Sequence, residues 1–140
     1  MIASFPPPPT LSDIDEIARG ALASLPEPLK QFTEGVVLLI QEFPDDAVCN
    51  EMELETPFDI LGLYQGLPVG ESGRDSSGAM PDMVFLYRRP ILDYWCETGE
   101  DLHHVVRHVL IHEIGHHFGL SDEDMEALEQ EADAEEQGEA

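Results

Sequence analysis

The chain has 140 residues and a formal net charge of −24, with 30 acidic side chains against 6 Lys and Arg. That length suits one domain with a real core, and that charge repels nucleic acid and anionic membrane surfaces, so neither is an expected partner. No run of about 18 apolar residues suggests a membrane span. The proline-rich start lacks the charge and apolar pattern of a secretory signal. Cys49 and Cys96 suit two reduced thiols of a cytoplasmic protein rather than a disulfide scaffold.

The expected organisation is a flexible Pro-rich lead over residues 1–11, one domain over 12–130, and a disordered acidic tail over 131–140. Ser12 and Asp15 resemble a capping box before a helix over 13–24, with Ile14, Ile17, Ala18, Ala21, Leu22 and Leu25 at helical spacing. Pro26 and Pro28 close that helix, and a helical turn over 29–33 follows. The β-branched run 36–43 suits a buried strand, and 45–51 reads as a helical turn or loop. Segments 60–64 and 83–88 are two further strands, joined by a surface connection rich in Gly and Pro. The second of these is expected at the sheet edge, where an extended peptide can pair with it. After Pro90 a short helix runs to Gly99. A helix from about Glu100, apolar on two faces through Val105, Val106, Val109, Leu110, Ile111 and Ile114, ends near Gly119. Beyond it, Met125, Leu128 and Ala132 are spaced for a weakly amphipathic helix.

The chemistry concentrates in the stretch H-E-I-G-H-H-F-G-L-S-D, His112 to Asp122. Four residues apart on a helix, His112 and His116 lie one turn apart on one face, where two imidazoles bind a single ion. Glu113 points aside, toward the water that a zinc ion would activate, and serves as general base, passing the proton to a leaving amine. Gly119 lets the chain turn back so that Asp122 arrives as the third ligand, with Glu123 and Glu126 as rivals. The string H-E-x-x-H also arises by chance, but here it lies late in an apolar helix, followed by a glycine and an acid at useful spacing. The expected cofactor is Zn2+ and the expected partner a peptide or protein substrate, with the chain a monomer. Three protein ligands beside a glutamate imply an open position, whereas a structural zinc takes four. The rival readings are a non-catalytic zinc-containing peptide-binding module and a hydrolase of another carbonyl substrate.

His104 and His108 continue the four-residue spacing, but hydrogen-bonded core or surface roles are favoured for them over a second metal site, and His117 is expected to pack. Tyr64, Tyr87, Tyr94 and Arg88 are candidate oxyanion donors, against the plainer expectation that the tyrosine hydroxyls sit at the surface.

This stretch resembles the H-E-x-x-H-x-x-G-x-x-H/D signature of metzincin-type zinc peptidases, with aspartate in third place as in the snapalysin branch. Together with L-G-L-Y-Q-G from Leu61 and P-D-M-V-F-L-Y-R-R-P-I-L from Pro81, it is similar to a small bacterial "possible zinc metallopeptidase" family. The resemblance implies an α+β minimal zincin-like fold, a small mixed β-sheet packed against helices that include the motif helix. It also implies zinc at His112, His116 and Asp122, with Glu113 as base. It departs from a full metzincin in leaving no room for a downstream Met-turn subdomain, so Met125 is expected to pack under the turn or in the last helix.

Overall fold

The computed structural model describes residues 6–66 and 82–138, with side chains described through residue 135. The expected surface connection therefore lies, apart from Gly66, outside the described residues. Thr10 caps the first helix, α1 (Leu11–Ala23), in a reciprocal box with Asp13. The cap thus falls two residues before the one expected at Ser12 and Asp15, because Thr10 is the residue in extended conformation ahead of the first helical turn. A single turn, α2 (Leu29–Phe32), leads into strand β1 (Val37–Gln41), followed by α3 (Asp46–Glu51), whose first turn is capped by Asp45. A 3-10 turn (Pro57–Asp59) precedes strand β2 (Gly62–Gln65).

Strand β3 (Met83–Tyr87) passes directly into α4 (Arg88–Thr98). Pro90 sits in the first turn of α4, where a missing N–H costs no helical bond. Gly99 closes α4 with φ 73°, its N–H bonded to the Trp95 carbonyl, a left-handed cap that glycine adopts without a Cβ clash. Asp101 then caps α5 (Leu102–His117), and α6 spans Asp122–Gly138. None of the described helices is long and apolar enough to cross a membrane.

The three strands form one mixed sheet in the order β1-β3-β2, with β1 parallel and β2 antiparallel to β3. This is an α+β domain with the minimal architecture expected. Two expectations about the sheet are overturned. β3 is the central strand, so a peptide has no free edge there to pair with; among the described residues β1 and β2 are the edges. β1 is not a buried strand either: Leu38 is buried while Val37 and Leu39 are exposed, the alternation of a strand covered on one side only.

α5 forms the middle of the domain. Val105, Val106, Val109, Leu110, Ile111 and Ile114 join Ile14 and Ala18 of α1 with Leu38, Val84 and Leu86 of the sheet in one core. Gly62 is required for that closeness, since a Cβ there would stand 2.8 Å from the Val109 side chain and 2.9 Å from the Phe85 carbonyl. α6 adds Met125 and Ala132, both buried. α6 runs from Asp122 to Gly138, and its Asp133 pairs with Arg107 of α5.

Candidate metal centre

The turn between α5 and α6 sets the positions of the polar groups. Gly119 takes φ 82°, the Leu120 N–H bonds the Gly115 carbonyl, and the Gly119 N–H bonds the His116 carbonyl, closing the last turn of α5. Ser121 and Asp124 then cap each other's backbone N–H groups, starting α6 at Asp122. The result is that Asp122 Oδ1 lies 3.6 Å from His116 Nε2, with the Asp122 side chain 90% and the His116 side chain 61% exposed.

His112 lies one turn before His116, their ring centroids 5.9 Å apart. Its Nε2, however, is bonded to Glu129 Oε2 at 3.1 Å, and the other oxygen of that carboxylate bonds His108 Nδ1. An ionised carboxylate only accepts, so each ring nitrogen donates. Among the described residues, His108, His112 and Glu129 have ligand atoms that all lie within 4.8 Å of one another. The structure therefore brings His116 to Asp122 and His112 to Glu129. Glu123 and Glu126 are exposed. Glu129 was not among the expected rivals, although a signal was present: it stands four residues after Met125 and three before Ala132, on the flank of the stripe that faces α5. His108 has the hydrogen-bonded role expected of it.

Glu113 is half-buried. Desolvation raises its carboxyl above the ordinary range, against the smaller lowering effects of His116 and of a hydrogen bond from the Tyr64 backbone. That hydrogen bond follows from strand geometry. The Tyr87 N–H bonds the Leu61 carbonyl, so alternate residues along the antiparallel ladder turn their N–H away from β3, and Tyr64 is one of them. β2 is thus the edge strand that runs beside Glu113.

The candidate oxyanion donors are committed elsewhere. Tyr64 Oη donates to Asp82 at 2.9 Å while its ring stacks on His117 at 3.9 Å, which gives His117 the packing role expected. Arg88 binds Glu42 and the Pro9 carbonyl. Tyr94 is exposed and hydrogen-bonded to Glu100. The Tyr87 residue is buried, its ring stacked on Phe85. Met125 is buried too and packs on Gly115. Cys49 and Cys96 both carry free thiols.

Residues 33–132 match the family model described as zincin-like metallopeptidase. No curated protein shows significant sequence similarity to the chain.

Proposed function

The chain belongs to the zincin-like metallopeptidase family, and from that premise we propose that it hydrolyses peptide bonds with Glu113 as general base. His112, His116 and Asp122 are the residues that would hold zinc. Two imidazoles and a carboxylate are the donors that zinc takes in open sites, and the 3.6 Å approach of Asp122 to His116 supports this set. When bound, zinc supplies Lewis-acid polarisation of a carbonyl and a lowered pKa for water.

The observation that carries the reading is the setting of Glu113. It follows directly on His112, is half withdrawn from water, and is held by the Tyr64 N–H. Burial raises its proton affinity toward working pH, which favours a group that must take a proton from water and return it to the departing amine. β2 has no strand on its outer side among the described residues, so an extended peptide can pair along it beside the base, outside the Tyr64 N–H that Glu113 occupies.

The test is metal analysis of wild type, His112→Ala, Asp122→Ala and Glu113→Gln, with cleavage of a diverse peptide library. Glu113→Gln is expected to keep zinc and lose about 100-fold or more in rate, the usual contribution of a positioned base. His112→Ala and Asp122→Ala are expected to lose hydrolysis along with the catalytic ion. Wild-type protein that takes up no zinc, or a Glu113→Gln variant that cleaves at the wild-type rate, overturns the proposal.

A further inference from the structure

The face of α5 that carries His112 and His116 also carries His104 and His108 at the same four-residue interval, and α6 runs back along it with acids in descending order. His104 Nε2 is 3.9 Å from Asp133, His108 and His112 share Glu129, and His116 faces Asp122. The two helices form a ladder with imidazoles on one rail and carboxylates on the other. Within it, one rung draws three donor atoms to within 4.8 Å of one another: His108, His112 and Glu129.

We propose that His108, His112 and Glu129 form a second divalent-cation site, and that it binds zinc in alternation with the exposed set because His112 belongs to both. The alternation rests on the catalytic reading above; the site itself rests on its own geometry. Bond lengths near 2.0–2.1 Å in a tetrahedral zinc site put ligand atoms about 3.4 Å apart, so side-chain rotation within fixed helices brings these three donors onto one ion. Two nitrogens and one oxygen suit zinc better than calcium or magnesium, which prefer oxygen. The helices are already anchored to each other, through Met125 of α6 against Gly115 of α5 and through the Arg107–Asp133 pair. The Glu129 side chain is 14% exposed and spends one oxygen on each ring, a convergence that a cation completes.

Sharing His112 has a chemical consequence. Its Nε2 is directed to Glu129, and one ring nitrogen binds one ion, so filling the deeper site withdraws His112 from His116 and Asp122. A chain charged in this way holds zinc away from the catalytic position, in a place better shielded from water.

The test is calorimetric titration of metal-free protein with zinc chloride, with circular dichroism to confirm the fold of each variant. His116→Ala/Asp122→Ala removes two exposed side chains and leaves the core intact. This double variant is expected to bind one zinc per chain, and wild type also one. Adding Glu129→Gln, which keeps the shape and removes the charge, or His108→Ala is expected to weaken that binding by about 100-fold or more, since even outer partners of a metal site are worth 10–100-fold. Loss of zinc binding in the folded double variant, with wild type still binding one, overturns the second site and leaves the catalytic reading standing. Undiminished affinity on adding Glu129→Gln or His108→Ala overturns it as well, and two zinc ions per wild-type chain overturn the alternation. Peptide hydrolysis that survives in the double variant instead overturns the catalytic reading and leaves the site intact.

Discussion

Met125 occupies the space that a side chain at position 115 would need: a Cβ built on Gly115 would lie 2.5 Å from the Met125 sulfur and 2.8 Å from its Cγ. Gly115, the second x of the H-E-x-x-H string, is therefore the contact floor between α5 and α6, and the spacing of His112 from Glu129 and of His116 from Asp122 depends on it.

Gly115→Ala is accordingly expected to destabilise the protein by about 1–3 kcal/mol, the usual cost of overpacking a filled interior. Gly20 provides the control, because a Cβ there meets nothing within 4 Å and α1 continues on both sides of it. Gly20→Ala is expected to stabilise by roughly 0.5–1 kcal/mol through helix propensity. Thermal unfolding of both variants checks the pair. Two shifts of the same sign contradict the packing argument.

Tyr87 gives the alkaline limit of the fold. Burial, then the charges of Asp45, Cys49 and Glu113, push its hydroxyl up to about 12. In the unfolded chain a tyrosine loses its proton near pH 10, so between about 10 and 12 the folded state binds more protons and stability falls as pH rises. The contribution of the neutral hydroxyl is complete below that window and lost across it. Tyr87→Phe is expected to flatten the decline over that range, measured as urea midpoints at successive pH values. Parallel curves for the two proteins contradict this.

The far half of α6 is tied to the domain. Ala132 is buried and Asp133 pairs with Arg107. Ala132→Asp, which puts a charge into that contact, is expected to cost about 2 kcal/mol or more, because a buried carboxylate without a partner is poorly tolerated. Ala134→Asp, at an exposed position of the same helix, is expected to change stability by less than about 0.5 kcal/mol. Equal effects at the two positions contradict a packed helix beyond residue 130.

Element type was readable wherever local chemistry decides it. Gly99 and Gly119 end helices because glycine takes positive φ cheaply, and α5 announces itself through apolar spacing on two faces. The spacing of His112, Glu113 and His116 was equally visible, since it needs only the pitch of one helix. What escaped depends on which elements meet. β3 read as an edge strand because strand order is set by the β1 crossover, which no local pattern records. The depth of Tyr87 escaped because it comes from β3 being central and running straight into α4. Glu129 was passed over because its importance comes from the antiparallel return of α6, which carries an acid seven residues past Asp122 to the level of His108. Thr10 lost the cap to Ser12 by a two-residue shift that hydroxyl residues so close together leave undecided.

Two of the contacts between β2 and α5 fix their relative register. Gly62 lies against Val109, and two residues on, the Tyr64 N–H reaches Glu113, four residues on from Val109. Two strand residues advance about 6.6 Å and four helical residues about 6 Å, so strand and helix share nearly the same step. The strand works as a gauge laid along the helix. A one-residue slip of β2 would take the bare glycine out of the narrow place and the N–H off the carboxylate at once, so the register of the sheet and the aim of the base are a single setting.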